Sequence, residues 1–356
     1  MSNFDQMRLA VEGLSGGKNT ILLDDVGMPS YMVAIPQMRV SDLITGGTQD
    51  VHDAFILNGV HKDVVYIGKY QSVIVNNRAY SLPFKNPATI AFDAARSRCR
   101  DKGNGWHLPT NALYAAIALW CKRNETMPRG NNNFGRDIDA PHETGIPCRP
   151  RDADGRVLAV ATGSGPNSWY HDHNAATGIA DLNGNVAEWC GGLRIVSGEL
   201  QIIPHANAMD DRFTGSQDIQ APTSSLWQAI MPNGTLVAPG TPGTLKWDWV
   251  SSQIRLSTEI TVQANSSRSA TFETMTLASG VTPPQLLTRL ALHPTVGETG
   301  YAADRVWMNN GDGLELLPTR GGGWTAGAGA GVFSLNLHGV RSFTSTLRGF
   351  RCAFVS

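Results

Sequence analysis

The hydrophobic positions in the first half of the chain form two kinds of pattern. Residues 32–36 and 64–70 are short apolar runs, which predict buried strands, and a proline ends the first run. Two later segments repeat apolar residues at helical spacing. One is predicted to begin at an Asn86 cap followed by Pro87, and the other at a Thr110 cap, so we expect two helices.

The second half of the chain shows mainly loop and strand patterns. Residues 127–166 are rich in Gly, Asn, Asp and Pro, which predicts long irregular loops. Residues 194–203 have the pattern of a hairpin with a Ser-Gly turn, and residues 256–262 predict a further strand. Residues 284–292 predict one short helix. The stretch 204–280 is rich in small and hydroxyl residues and contains no catalytic motif.

Composition and charge exclude several classes of partner. The chain has 356 residues, of which 41% are hydrophobic and 17% charged, so it is globular. Its 38 glycines and 19 prolines indicate a chain rich in loops. Twenty-nine basic residues against 30 acidic ones give a net charge of -1. No basic cluster predicts binding to nucleic acid or to an anionic membrane. No apolar run has the length needed for membrane insertion.

The N-terminus and the cysteines indicate the cellular setting. The first residues lack the basic and apolar regions of a cleaved signal peptide, so we expect a protein that is soluble as made. It would reach the outside of a cell on a virus particle, by lysis or through a dedicated apparatus. The five cysteines form no C-x-x-C pair. They are expected to be small buried hydrophobic residues, and one disulfide remains open.

Three motifs occur in order along the chain. They are HLPT at residues 107–110, DLNGNVAEW at 181–189, and RGGGW at 320–324 with a closing RGFRC at 348–352. This set resembles the formylglycine-generating-enzyme (sulfatase-modifying factor) branch of the C-type lectin fold, whose usual forms are RLPTEAEWE, GNVWEW, and RGGSW followed by GFR. The resemblance implies an α+β fold in which two helices pack on small antiparallel sheets, with a β-rich insertion.

The same resemblance divides the chain into parts. It implies an N-terminal segment of residues 1–29 and a lectin-type domain made of residues 30–192 and 319–356. Residues 193–318 are then an insertion. The sequence leaves open the role of this insertion and the oligomeric state.

The central motif predicts a tight turn with polar side chains. Gly184 permits a positive φ, and Trp189 and Trp324 are expected to be core anchors. In the resembling family this turn helps to hold a structural calcium ion, so Asn185 and Glu188 are candidate calcium ligands. Calcium needs more oxygen ligands than these two side chains supply. A hydrogen-bonded turn without metal is therefore equally open, and no cofactor is required.

The residues that would support catalysis in this family are absent. Formylglycine-generating enzymes bind copper through two thiols, two and seven residues after the aromatic residue of the RGGSW motif. The matching positions are Ala326 and Gly331, which do not bind a soft metal, so we expect a protein that is not an enzyme. Other members of the fold bind iron through histidines. His171 and His173 form the only dense His/Asp cluster, and hydrogen-bonded loop histidines are favoured there over an iron site.

The C-terminal segment, residues 325–348, has a restricted composition. Its sequence, TAGAGAGVFSLNLHGVRSFTSTLR, contains no Lys, Glu, Gln, Met or Trp. Randomised adenines in asparagine codons do not reach these five residue types. The restriction is typical of the variable proteins of diversity-generating retroelements, which include the tropism determinants of phages and often use the C-type lectin fold. The resemblance therefore implies a hypervariable receptor-binding surface between two fixed motifs.

Eleven positions of this segment are predicted to face a ligand, a protein or a glycan on a host or other cell surface. They are Thr325, Ala326, Ala328, Phe333, Ser334, Asn336, His338, Ser342, Phe343, Ser345 and Leu347. Val332, Leu337 and Val340 are expected to belong to the core. Two alternatives stay open: an invariant tail or fibre component of a phage, and a metal-dependent, oxidase-like relative of the enzymes.

Overall fold

The computed structural model describes residues 3–210 and 218–356. Within these residues the helices are α1 (Asn3–Ser15), α2 (Val40–Leu43), α3 (Phe92–Arg100), α4 (Asn111–Arg123) and α5 (Gln285–Arg289). The strands of the first half are β1 (Asn19–Leu23), β2 (Pro29–Pro36), β3 (Ile56–Leu57), β4 (Val60–His61), β5 (Val64–Gly68), β6 (Ser72–Val75), β7 (Arg78–Ser81), β8 (Trp106–His107) and β9 (Ala187–Trp189). Those of the second half are β10 (Leu193–Val196), β11 (Glu199–Ile202), β12 (Gln228–Ile230), β13 (Leu236–Val237), β14 (Lys246–Val250), β15 (Gln253–Ser257), β16 (Arg268–Thr271), β17 (Thr276–Leu277), β18 (Arg305–Met308), β19 (Glu315–Gly321), β20 (Gly331–Gly339), β21 (Arg348–Gly349) and β22 (Ala353–Phe354).

One sheet joins the beginning of the chain to its end. Its strand order is β1-β2-β5-β22-β8, with antiparallel neighbours throughout. The two strands predicted from apolar runs, β2 and β5, lie at its centre. The C-terminal strand β22 lies between β5 and β8, so the last residues of the chain are part of the core sheet.

A second sheet contains the remaining motifs. In the part of the chain that the structure describes, it has 13 strands, along a main path β16-β18-β20-β19-β10-β11-β14-β15-β17. Strands from residues 193–318 lie on both sides of the C-terminal pair β19 and β20, and β18 runs parallel to β20. The expectation of small sheets is therefore wrong for this part of the molecule, because these strands extend the sheet. The α+β prediction is confirmed as a mixed fold, mostly sheets with few helices.

The predicted helix at Thr110 is confirmed, whereas the predicted start at Asn86 is wrong. The Thr110 hydroxyl accepts a hydrogen bond from the Leu113 amide at 3.2 Å, which caps α4. Helix α3 begins only at Phe92. The side-chain oxygen of Asn86 instead accepts a bond from Arg149 Nε at 2.8 Å, so it is not available as a cap.

Two other local predictions have different outcomes. The hairpin β10–β11 is confirmed, and its turn residues Ser197 and Gly198 have φ values of 48° and 84°, as this tight turn requires. The predicted strand 256–262 ends early, at Ser257. The chain then turns around the buried Asp248, which accepts bonds from the Thr261 hydroxyl at 2.5 Å and the Val262 amide at 3.1 Å.

The cysteines are separate thiols, so the disulfide that the sequence left open does not form. Four of them are buried, as expected for small hydrophobic residues, and Cys148 is partly buried. Burial raises the pKa of Cys190 to about 12. Among residues 3–210 and 218–356, no helix combines the length and the apolar character needed to cross a membrane.

A buried ion pair connects the distant motifs. Both oxygens of Glu188 accept hydrogen bonds at 2.5 Å from the Arg351 guanidinium, and Tyr114 of α4 and Gln71 also donate to this carboxylate. Arg351 also donates to the carbonyl oxygen of Gly68 at 2.9 Å. Burial alone would lower the pKa of Arg351, but the Glu188 charge and hydrogen bonds raise it.

We expect the substitution Arg351→Met to lower the free energy of unfolding by about 3–5 kcal/mol, because it leaves the buried Glu188 charge without its partner. The double substitution Glu188→Leu with Arg351→Met removes both charges and should recover part of this loss. Urea denaturation of the three proteins measures both effects. The exposed substitution Arg156→Ala is the matched control and should leave the transition unchanged. A single Arg351→Met variant as stable as this control would contradict the role of the pair.

Candidate binding surface

The predicted variable segment has three parts in the structure. Residues 325–330, the first loop, lead into the central strand β20, and residues 340–347, the second loop, lead to β21. The start of the first loop lies beside the end of the second, because a Cβ placed on Gly323 would contact the Leu347 side chain at 3.0 Å. The two loops join opposite ends of β20, and the start of the first lies beside the end of the second.

Buried side chains hold both ends of this segment. Arg320 lies before the first loop, and its guanidinium donates to Asn111 Oδ1 at 2.7 Å and to the carbonyl oxygens of Leu290 and Ala291 at 3.1 Å. Trp324 is 3% exposed and packs against Leu347. These contacts fix the position at which the first loop leaves the sheet.

Arg149, from the long irregular region, holds the second loop. Its guanidinium donates to the carbonyl oxygen of Thr346 at 2.8 Å and to that of Pro87 at 2.7 Å. The same group lies over the Trp324 ring, 5.3 Å from its centre. One side chain therefore joins the two loops to the rest of the protein, and nothing in the sequence pattern indicated this role.

Most of the predicted ligand-facing positions are accessible. Thr325, Ala328, Ser342 and Phe343 are exposed. The partly exposed positions are Ala326, Asn336, His338, Ser345 and Leu347. In addition, the second loop exposes Thr344 and Thr346, which the sequence analysis did not select.

The predictions for Phe333 and Ser334 are wrong, because both are buried at 0% and 1% exposure. Strand β20 lies between β18 and β19, so neighbouring strands cover it on both edges. The Phe333 ring packs against Tyr301 and Phe272, with ring centres 4.9 and 5.4 Å apart. Both partners come from residues 193–318, a region without recognisable motifs.

The core predictions within the segment have mixed outcomes. Val332 and Leu337 are buried, as expected. Val340 is 40% exposed, so its assignment to the core is wrong. It follows the last residue of β20 and begins the second loop, where its carbonyl oxygen accepts a hydrogen bond from the Phe343 amide.

The partly exposed side chains of β20 are arranged around Arg348. The Arg348 guanidinium donates to Asn336 Oδ1 at 3.0 Å and lies 3.1 Å from His338 Nε2. It also lies over the Phe343 ring, 4.4 Å from its centre. Burial and the nearby Arg348 charge lower the pKa of His338 to about 4. This patch therefore combines a cation, an aromatic ring and a neutral imidazole.

Residues from the second sheet border this patch. Trp307 of β18 is paired with Asn336 in the ladder, and it is partly exposed. Ser267 lies within hydrogen-bonding distance of His338 Nδ1, at 3.1 Å. The sequence analysis missed both residues because they belong to residues 193–318, where no local signal connects them to the C-terminal segment.

The candidate calcium ligands are occupied by protein groups. Asn185 Oδ1 accepts from the Val160 amide at 2.9 Å, and its amide nitrogen donates to Gln71 at 2.9 Å. Both Glu188 oxygens are bonded by the Arg351 guanidinium, so the charge of this carboxylate is already paired. Gly184 has the predicted positive φ, 78°. The donor set therefore fits a hydrogen-bonded turn and does not fit a calcium site.

The two histidines of the alternative iron site interact with the backbone and not with each other. Nδ1 of His171 accepts from the Ile179 amide at 2.9 Å, and Nε2 of His173 lies 3.2 Å from the Met127 carbonyl oxygen. They occupy a turn and not a strand, and His173 has a φ of 55°. Among the described residues, no group of three or more His, Cys, Asp or Glu side chains is placed to hold a metal ion.

Comparisons with known proteins give limited information. No protein-family model and no curated protein matches the chain. Among solved structures, the chain is similar to the structure of PvdO from Pseudomonas aeruginosa, with 12% sequence identity and a TM-score of 0.34. The similarity covers 95% of this chain and 98% of that chain. A likeness at this level supports no conclusion about function.

The beginning of β20 is held by a buried carboxyl group. Asp304 Oδ2 accepts a hydrogen bond from the Phe333 amide at 2.7 Å, and a Cβ on Gly331 would meet the same carboxyl at 2.1 Å. Burial raises the pKa of Asp304 well above its usual range, against the lowering effect of the backbone hydrogen bonds. The carboxyl group of Asp304 therefore binds a proton more tightly in the folded protein than in the unfolded chain.

We expect Asp304→Asn to change the pH dependence of stability. The contribution of a carboxyl with a raised pKa is fully present below its unfolded pKa and is lost as the pH rises towards its folded pKa. Between pH 5 and pH 8 the wild type should therefore lose stability relative to Asp304→Asn. Urea denaturation of both proteins across this range gives the difference between their free energies of unfolding. The other titrating groups are the same in both proteins, so their contributions cancel in this difference. A difference that is constant with pH would contradict the buried, protonated state.

Proposed function

We propose that this protein is a binding protein with a C-type lectin fold of the formylglycine-generating-enzyme branch, which displays the two C-terminal loops to a protein or glycan on another cell surface. We further propose that a diversity-generating retroelement varies these loops. The protein would act on a virus particle or outside a cell, without catalysis.

The convergence of the motifs supports the proposed fold. Strand β9 of the central motif lies between β19 and β21, so Glu188 is paired with both Arg320 and Gly349. Gly191 forms a bridge with Thr110, the cap of α4. The motifs quoted for the resemblance therefore meet around one strand, although more than 200 residues separate the first from the last. A fold shared with the resembling family would bring these motifs together in this way.

The exposure of the two loops is the observation that carries the proposed function. Burial accounts for the absence of Lys, Glu and Gln from most of β20, because charged and amide side chains are rarely buried. It does not account for their absence from the second loop, where Val340, Ser342, Phe343, Thr344 and Thr346 are exposed. Lys and Glu are common on ordinary surfaces, so their absence from this one favours restricted codons. The loops also lie on a rigid sheet, where substitution costs little stability.

The proposal predicts that the loops tolerate variation and that β20 does not. Two libraries with the same adenine-randomised codons test this, one at Thr325, Ala328, Ser342, Phe343 and Ser345, and the other at Val332, Phe333, Ser334, Leu335 and Leu337. Most members of the loop library should keep the protease resistance of the parent. Members of the strand library should lose about 2–5 kcal/mol of stability for each large core side chain that is removed.

Selection for binding then separates a binding surface from a merely tolerant one. Members of the loop library that bind an immobilised protein, such as hen lysozyme, should be recovered, and their binding should be lost on reversion of the selected loops. Equal loss of folding in the two libraries would overturn the proposal. So would a folded loop library that yields no binders.

A further inference from the structure

Two arginines that are not among the predicted ligand-facing positions contact the second loop, residues 340–347. The Arg348 guanidinium lies over the Phe343 ring, 4.4 Å from its centre, and Arg149 donates to the carbonyl oxygen of Thr346 at 2.8 Å. Arg149 comes from the long irregular region, and Arg348 begins the closing RGFRC motif. Their positive charges are therefore present whatever sequence the loop displays.

Arg348 is a buried cation without a carboxylate partner among the described residues. It is 4% exposed, and its guanidinium has the neutral side chains of Asn336 and His338 as hydrogen-bonding partners. Its Nη1 atom is buried and has no hydrogen-bond acceptor. Burial lowers the pKa of Arg348 to about 10, and no described carboxylate opposes this effect. Buried charges are normally paired, so this one is unfavourable in the isolated protein.

Arg149 also lacks a counterion in the part of the chain that the structure describes. Its guanidinium donates to oxygen atoms of Asn86, Pro87 and Thr346, which are all uncharged. Burial is the main cause that lowers the pKa of Arg149, and no described carboxylate acts on it. Charges surrounded by protein, where the dielectric constant is low, act on nearby groups more strongly than charges in water do. The two arginines therefore give the second loop a positive field.

The carboxylates that bond to this loop are already neutralised. Arg341, the only charged residue of the loop itself, donates to Asp93 at 2.7 Å and to Glu315 at 3.0 Å. Each of these carboxylates has a second arginine as a partner. Arg96 lies 3.2 Å from Asp93, and Arg194 lies 2.9 Å from Glu315. Neither carboxylate is therefore left to balance Arg149 or Arg348.

The composition of the two loops has the same sign of charge. Residues 325–348 contain two arginines and neither Asp nor Glu. Randomised adenines in asparagine codons reach Asp, so restricted codons do not account for its absence. The exposed Asp139 lies on the side of the first loop, because its neighbour Ile138 is 3.3 Å from a Cβ placed on Gly327. The excess of positive charge therefore belongs to the second loop.

We propose that the second loop docks on an acidic surface of a protein partner, where several Asp and Glu carboxylates face Arg149 and Arg348. This inference rests on the proposed display of the loops, and it adds a fixed preference for the sign of the partner's charge. The arginines act through their field, since Arg348 is too buried to contact the partner. Complementary fields of this kind steer association and disfavour partners of like charge.

An acidic protein fits this loop better than a single acidic sugar does. One sugar carboxylate is bound by donors that converge on one point, but Arg149 and Arg348 contact different residues of the loop, Thr346 and Phe343. Phe343 is exposed, and aromatic side chains together with arginines are typical of protein interfaces. A field spread along the loop matches carboxylates that are spread over a protein surface.

The loop library at Thr325, Ala328, Ser342, Phe343 and Ser345 tests this preference when it is selected against two proteins. Bovine α-lactalbumin and hen lysozyme share a fold, but the net charge of the first is negative and that of the second is positive. At low ionic strength we expect binders of α-lactalbumin to be about tenfold more frequent than binders of lysozyme. The difference should shrink as salt is added, because salt screens the field.

Three variants of the library scaffold show whether Arg348 is a source of the preference. Arg348→Gln removes the charge and should lower the ratio of the two frequencies about threefold or more. Arg348→Lys loses the same guanidinium bonds but keeps a positive charge, so it should keep most of the preference. The matched control Arg123→Gln removes an exposed arginine at the end of α4 and should leave the ratio unchanged. Protease resistance verifies that each scaffold folds.

Equal frequencies of binders in the two selections of the parent library would contradict the inference, and this comparison does not depend on the folding of any variant. A ratio that Arg348→Gln leaves unchanged would contradict the role of this arginine. Binding of the wild type to immobilised sialyllactose, with no preference for α-lactalbumin in the library, would assign the loop to an acidic glycan instead. Absence of binders in both selections would count against the proposed display itself.

Discussion

The buried contact between Glu188 and Arg351 joins four distant parts of the chain. It connects the closing motif to the central motif, and Tyr114 and Gln71 add α4 and the first sheet to the same point. A buried charge pair adds little net stability compared with apolar side chains, but either charge alone is strongly unfavourable. The pair therefore selects the arrangement in which all these parts are assembled. Residues 325–348 lie in the sequence between the paired strand β19 and the closing motif that contains Arg351.

This constraint explains why residues 325–348 are held in place at both ends and in β20 but are exposed in the two loops. Arg320 and Phe350 are buried at the two ends of this segment, and β20 is covered by neighbouring strands and by the Phe272–Tyr301 ring pair. Within the segment, the fully exposed positions, such as Ser342 and Phe343, all lie in the two loops. Substitution in them alters the surface without opening the core, whereas substitution in β20 leaves a cavity. Residues 193–318 contribute to this division, because they supply the strand and the rings that cover β20.

Local features were predictable from the sequence, and long-range ones were not. Thr110 caps α4, and Ser197-Gly198 turn the hairpin, because the atoms involved are within a few residues of one another. Asn86 fails as a cap because Arg149 engages it from 63 residues away. Phe333 was assigned to the surface because its covering rings, Phe272 and Tyr301, lie in a region without motifs. The position of Glu188 beside an arginine, and not a metal, also depends on a contact across 163 residues.

Sequencing the coding region and its genomic surroundings in independent isolates tests directly whether residues 325–348 are a diversified surface. The account predicts a near-copy of the codons for this segment that differs at adenines, and a nearby reverse transcriptase gene. It also predicts that isolates differ at loop positions such as Ser342 and Phe343, while Phe333 and Leu335 stay the same. Identical segments in all isolates, without a second copy, would contradict the diversified surface and favour an invariant structural component.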